Sequence, residues 1–317
     1  MSSSRKIFVA TLLFAIAALI AAPFFGPGID WDSSRDASIF WQLRVPRALL
    51  GFVSGAGLAL AGVVLQALLR NPLATPFTLG VSSGASLGVV LALWFGLSAT
   101  FARPLVGMAG AIAVIYLTWR IARVGGRMPV QSLLLAGVAL TYLFSAGILL
   151  VQVISTPHDA ARILRWLVGS LETGLGYQPV VLVSLAVGVA AALILPLGRA
   201  FNAMGGGTDA ALGVGVEVDK VIRRGYVGAS LMVGAIVAFV GPIGFIGLLI
   251  PHALRLLGLV DNRVLLPAAA LAGGGFLVLC DGVTNVAAAQ RLPVGVVTHL
   301  LGGPFFLFLL LRGGRAT

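Results

Sequence analysis

From Ala48 to Leu69 the chain runs 22 residues without a charged side chain. A helix of that length covers about 33 Å at ~1.5 Å per residue, enough to cross a hydrocarbon core of about 30 Å. Inside lipid every backbone N–H and C=O has to be satisfied within the segment, so a run of this kind is a helix. Its Gly51, Ser54, Gly55, Gly57 and Gly62 suit close approach of neighbouring helices. Similar apolar runs, bounded by Arg, Pro or Gly clusters, recur at 7–25, 48–69, 79–97, 104–119, 130–154, 178–198, 226–241, 243–257, 264–288 and 294–311. The pattern predicts an all-α polytopic membrane protein with about ten transmembrane helices. Charged residues are only 10 % of the 317, against roughly 25 % in a soluble domain. That leaves nothing to solvate a sizeable soluble unit, so residues 1–317 read as a single transmembrane domain. Arg5 and Lys6 ahead of Ile7–Phe25 resemble a signal peptide, but a 19-residue apolar run is long for one, and a retained first helix is expected.

The formal charge of +11 would suggest nucleic acid if it lay on one soluble face. Here the basic residues sit between apolar runs, as topology determinants do, and nucleic-acid binding is not expected. With the N-terminus inside, fourteen of the 21 basic residues fall on the cytoplasmic side and seven, including Arg44, Arg47, Arg162, Arg165 and Arg291, fall outside. That bias predicts cytoplasmic termini. The single cysteine, Cys280, excludes an intrachain disulfide or thiolate cluster.

Three connections are more than turns. Gly26 to Val45 carries Asp30, Asp32, Asp36, Trp31 and Trp41 and is expected outside, with its tryptophans at the membrane–water boundary. Ser155 to Gln178 contains a short amphipathic pattern with Asp159 as an N-cap or first-turn charge. Arg199 to Arg224 is the longest cytoplasmic connection, with Gly205, Gly206 and Gly207 ahead of a short helical segment opened by Thr208 and Asp209. Its mixed charge invites a protein partner. A loose internal echo pairs the glycine-rich run ending at Asn71-Pro72 with a second ending at Pro251-His252.

Asp281 is the only acidic residue deep in an apolar run, and Asn285 shares its helix face. A charge there costs roughly 2.5–3.5 kcal/mol on insertion scales. It needs either a hydrogen bond to a neighbouring helix or a place on a transport or proton path. Tyr142, Ser145 and Gln152 give the 130–154 run a mildly polar character, and His299 lies in the last run. These four either line a path or make ordinary interhelical bonds. The three histidines lack metal-ligand spacing, and Gly205-Gly206-Gly207-Thr208 lacks the GK[ST] of a phosphate loop, so no metal, cofactor or catalytic residue is expected.

The segments QLRVPRALLGFVSGAGLALAGVVLQALLRNPLATPFTLGVSSGASLG, GPIGFIGLLIPHALRLLGLVDNRVLLP and RLPVGVVTHLLGGPFF occur in that order. Together they strongly resemble the FecCD-type permeases of type II ABC importers, over nearly the whole chain. The resemblance implies a permease subunit in the bacterial inner membrane that imports an iron chelate, with a ferric siderophore first and haem or cobalamin as alternatives. It also implies a homodimer in the lipid bilayer, two cytoplasmic ATP-binding-cassette ATPase subunits where ATP is hydrolysed, and a periplasmic substrate-binding protein. By the same resemblance Arg44 and Arg47 dock the binding protein, the alternative being plain interfacial anchors. Arg291 departs from the family, where an acidic residue often precedes the Leu-Pro of this loop, and either adds to the docking charge or reflects a different partner. Thr208, Asp209, Ala210, Ala211, Leu212 and Gly213 match the ATPase-coupling helix that ends in Leu-Gly. The alternative from another class is a proton-coupled secondary transporter that uses Asp281.

Overall fold

The computed structural model describes residues 3–97, 101–123, 129–171, 176–287 and 292–313, and over these residues the chain is helical with no strand. The helices are α1 (Ser3–Ala21), α2 (Ser34–Ile39), α3 (Val45–Leu69), α4 (Val81–Trp94), α5 (Ala102–Ala122), α6 (Val130–Ile154) and α7 (Pro157–Leu167). They continue with α8 (Gln178–Ile194), α9 (Gly198–Gly205), α10 (Thr208–Gly213), α11 (Val218–Val240), α12 (Ile246–Leu256), α13 (Asn262–Ala287) and α14 (Val294–Gly313). Seven helical segments are long and apolar enough to cross a membrane. Three shorter apolar ones, α4, α12 and the Val294–Leu307 part of α14, complete a set of ten that follows the ten apolar runs.

The bundle is built around α3 and α11, whose apolar windows are mostly buried, while α1, α5, α6 and α8 keep wide apolar faces uncovered. α3 packs on α13, α11, α12 and α8. Small side chains set the distances in this core. A Cβ added at Gly55 would overlap the Gly273 carbonyl of α13, and one at Gly62 would overlap the Gly247 carbonyl of α12. In lipid, where no hydrophobic effect drives helices together, such close backbone packing drives association through van der Waals attraction.

α3 stops at Arg70, which takes a left-handed conformation (φ 47°). Asn71 N donates to Gln66 O at 3.1 Å and closes the last turn, and Pro72 bars continuation. The chain then makes one short turn, Pro76–Leu79, before Gly80 (φ 77°) opens α4.

Two expected spans have different bounds. The 226–241 run is the second part of α11, which begins at Val218 and takes in Lys220, Arg223 and Arg224. Val218, Val221, Ile222 and Gly225 are buried at helical spacing, so the charges ride on the open side of a real helical turn. The 243–257 run contains only the 11 residues of α12, about 17 Å of helix, too short to span alone. The internal echo fails at this point. The chain breaks at Gly241–Phe245, where Phe245 has φ 67°, and Pro251 lies inside α12.

α7 is stitched to three other elements. Its N-cap is Thr156, whose Oγ1 accepts from Asp159 N at 3.2 Å, so Asp159 is the first-turn charge. Arg162 Nη2 donates to Leu93 O in α4 at 2.8 Å. Just after the helix, Ser170 N donates to Val240 O at the end of α11, and Gly295 N in α14 donates to Gly169 O. A side chain at Gly295 would overlap the Val168 carbonyl, so backbone meets backbone at this junction of α7, α11 and α14.

At the opposite end the turn from α12 into α13 is fixed by Asp261. Its carboxylate accepts from Arg263 Nη2 at 2.7 Å and from Asn202 Nδ2 of α9 at 2.6 Å. Those hydrogen bonds, Arg263 first, hold the carboxyl well below the usual carboxylate range. A depressed folded value gives stability that is full above the unfolded carboxylate value near pH 4 and is lost as pH falls further. Amide exchange at Asn262, corrected for its intrinsic rate, is therefore expected to be flat from pH 7 to pH 5 and to rise only below about pH 4.

Candidate functional site

The sequence-derived site residues fall into three places. The first is the end of the bundle where α3 begins. A five-residue wide turn, Phe40–Arg44, precedes α3, and Val45 N reaches back to Phe40 O. This turn carries Arg44, half-exposed, whose Nη2 donates to Pro27 O at 2.7 Å and Nη1 to Pro23 O at 3.4 Å. Among the described residues Arg44 bonds carbonyl oxygens and no carboxylate. Trp31 and Trp41 stand exposed beside it, both in edge contact with buried Phe40.

Arg47, one turn into α3, is placed differently. Its Nε donates to Asp281 Oδ2 at 2.8 Å and its Nη2 to Asp281 Oδ1 at 2.7 Å. The side chains are only 14 % and 9 % exposed. Asn285 Nδ2 lies 3.5 Å from the same carboxylate. Asp281 is thus level with the first turn of α3, near one end of the bundle, and among the described residues its carboxylate meets Arg47 and Asn285. Arg291 lies outside the described residues.

The second place is the opposite end, where α9 and α10 form a pair of short helices. In α10, Ala211 is fully buried, while Thr208, Asp209, Ala210, Leu212 and Gly213 are exposed. Leu212 is 55 % exposed and the following Val214 71 %. The segment is therefore a small knob, seated by one alanine, that offers a leucine outward. Gly207 before it has φ 110°, a conformation open to glycine and strained for other residues. Between the knob and the end of α3 lies a cavity of about 250 Å³ lined by Leu68, Arg70, Met204, Thr208 and Asp219.

The third place is a pair of surface sets. Tyr142 is exposed, and Ser145 and Gln152 are half-exposed on α6, which packs on α4, α5 and the Pro76–Leu79 turn. His299 is exposed on α14, which packs on α13 and α12. Its Nδ1 bonds Gly295 O at 2.5 Å and its ring meets Phe245 edge-on at 5.3 Å between centroids. Within one chain the α6 and α14 residues are two sets.

One polar cluster escaped sequence reasoning. Pro251 has no N–H, so the carbonyl of Gly247, four residues earlier, loses its helical donor. Gln66 Nε2 of α3 donates to that oxygen at 3.2 Å, and the Gln66 Oε1 in turn accepts from Arg255 Nη1. The available signal was a lone amide, Gln66, inside a glycine-rich helix, together with the four-residue spacing of Gly247, Pro251 and Arg255.

Comparison with known proteins agrees with this architecture. The chain is 40 % identical over 318 aligned residues to the "Vitamin B12 import system permease protein BtuC" of Salmonella paratyphi A, covering 99 % of this chain and 95 % of that protein. The protein of the same name from Salmonella typhi is 39 % identical over the same shares. Among solved structures, "An inward-facing conformation of a putative metal-chelate type ABC transporter" superposes with a TM-score of 0.89 at 29 % identity, covering 97 % of this chain and 99 % of that one. Residues 6–312 match the FecCD transport family, and with that match over nearly its whole length the chain belongs to this family as a multi-span permease of an ABC importer.

Proposed function

We propose that the protein is the permease of an ATP-driven importer for a corrinoid of the cobalamin type. The observation that carries the cargo is the 40 % identity, over 99 % of the chain, to proteins named as vitamin B12 import permeases. On this reading cobalamin replaces the ferric siderophore expected from the sequence as the leading cargo. A metal chelate of another kind is the second reading, favoured by the name of the structural neighbour. The working unit is a homodimer in the bacterial inner membrane with both termini cytoplasmic. Tyr142, Ser145, Gln152 and His299, exposed on the single chain, then face the path between the two copies.

The Arg44 end faces the periplasm and meets the substrate-binding protein. A guanidinium that, among the described residues, bonds carbonyl oxygens and no carboxylate retains the charge to attract one. The α10 end faces the cytoplasm, and its exposed Leu212 enters a cleft on the ATPase subunit, where ATP is hydrolysed. Nucleotide-driven closure of that cleft then becomes a rigid-body movement of the helices. The proton-coupled alternative loses support because Asp281 is engaged by Arg47 instead of facing a free path.

The test is uptake into proteoliposomes with the cognate ATPase and binding protein, offering labelled cyanocobalamin, a ferric hydroxamate and haem separately. ATP-dependent entry of cyanocobalamin alone is expected. Preferential entry of another chelate would sink the corrinoid assignment, and entry without ATP would sink the importer mechanism. Leu212→Asp is expected to cut uptake at least about tenfold by putting a charge into an apolar seat, while helix content is unchanged because the side chain is exposed. ATPase association measured by co-purification falls with it.

A further inference from the structure

We infer that Arg47 and Asp281 form a standing ion-pair strut between α3 and α13, and that the strut withdraws Arg47 from docking and leaves Arg44 as the docking cation of this segment. The second half rests on the docking role given to this end of the bundle above; the first half stands on geometry alone.

The two side chains come from residues 234 apart in sequence and meet side-on, Nε and Nη2 against the two carboxylate oxygens. Each is largely buried. Along the rest of the α3–α13 contact the helices touch through glycine. Gly51 faces Val278, Gly274 faces Phe52, and Gly55 and Gly273 meet backbone to backbone. Arg47 and Asp281 continue this line by one further turn towards the Arg44 end, through a charge pair instead of small residues. The line therefore holds the two helices together as one body over about two and a half turns.

Energetics decide whether Arg47 can leave Asp281 for a carboxylate on a partner. Its departure would strand a buried, ionised Asp281 with Asn285, at 3.5 Å, as its remaining polar side-chain neighbour among the described residues. An exposed ion pair formed at a protein rim returns little, while an uncompensated buried charge costs much more. The exchange is uphill. Arg44, three residues earlier, bonds the Pro23 and Pro27 carbonyls and, among the described residues, no carboxylate, so it can add a partner's carboxylate without abandoning one of these.

The prediction is a rescue. A buried ion pair is often replaceable by apolar residues of similar volume, whereas removal of one partner is damaging. In the full permease in lipid nanodiscs, Arg47→Met is expected to lower ATP-driven uptake at least about tenfold and to reduce thermal stability. Adding Asp281→Leu returns uptake to within about threefold of the native level and leaves affinity for the cognate binding protein, loaded with cyanocobalamin, within about threefold. Arg44→Met weakens that affinity by about tenfold or more whether residue 281 is Asp or Leu. If Arg47→Met alone does not yield folded protein, the double variant decides the matter. A double variant that folds and docks normally supports the strut. One that fails to fold, or that loses affinity as Arg44→Met does, overturns it. If Arg44→Met leaves affinity unchanged, the docking reading of this face fails, while rescue of stability by Asp281→Leu still supports the strut and its absence still overturns it.

Discussion

Alanine at Gly62 is expected to abolish the folded permease. The added methyl would overlap the Gly247 carbonyl and lie 2.6 Å from both the Gly247 Cα and its carbonyl carbon. These are backbone atoms on the first turn of α12, so no rotamer change relieves the clash. Overpacking a tight core costs typically about 1–3 kcal/mol and occasionally more, and the upper end applies because α3 and α12 must separate as whole helices. Separation would also pull Gln66 away from Gly247, one turn further along the same contact. The measurement is the yield of monodisperse protein after detergent extraction. Gly213→Ala, where no atom lies within 4 Å of the new Cβ, is the control and keeps native yield. Equal yields for the two variants would refute the close-packed α3–α12 crossing.

Gln66→Leu is expected to destabilise the protein by about 3 kcal/mol. A single interhelical hydrogen bond in a membrane protein averages only about 0.6 kcal/mol in double-mutant cycles, so the amide bond to Gly247 does not set this magnitude. Arg255 does. With leucine at 66 the guanidinium loses its bond to Oε1 in a partly buried position, and stranding a buried charge costs about 3–5 kcal/mol, with the lower figure suited to partial exposure. Gln66→Glu separates the two contributions. It keeps an acceptor for Arg255 while removing the donor to Gly247, so it falls between native and Gln66→Leu in thermal unfolding. A Gln66→Leu protein that unfolds with the native midpoint would show that Arg255 finds other solvation.

The ten apolar helices were legible because hydrophobic run length is a local property of the chain, and lipid leaves few alternatives for such runs. Local pattern also located the knob at Thr208–Gly213 and the turn at Arg70-Asn71-Pro72. What the sequence hid is pairing between remote helices. Asp281 viewed alone is a costly charge in an apolar run, and Arg47 viewed alone is a terminal arginine. Only the packing of α3 on α13 makes them one feature. Gln66, Gly247 and Arg255 were opaque for the same reason: the proline that frees the carbonyl and the amide that satisfies it belong to different helices. The early start of α11 could have been read from Val218, Val221, Ile222 and Gly225, but the charges among them masked the period.

The backbone junction of α7, α11 and α14 gives α11 the character of a lever arm. Its 23 residues make a rod about 34 Å long, with the knob of α10 beside one end and the Ser170 and Gly295 hydrogen bonds gathered around the other. Side chains of α11 are buried along its length, so its neighbours suppress bending in the middle. A tilt of about 5° at Val218 then displaces Val240 by ~3 Å over that length. The reach of such a tilt from one end of the molecule to the other is set by the length of one helix and by how firmly the chain segments hydrogen-bonded around its tip hold it.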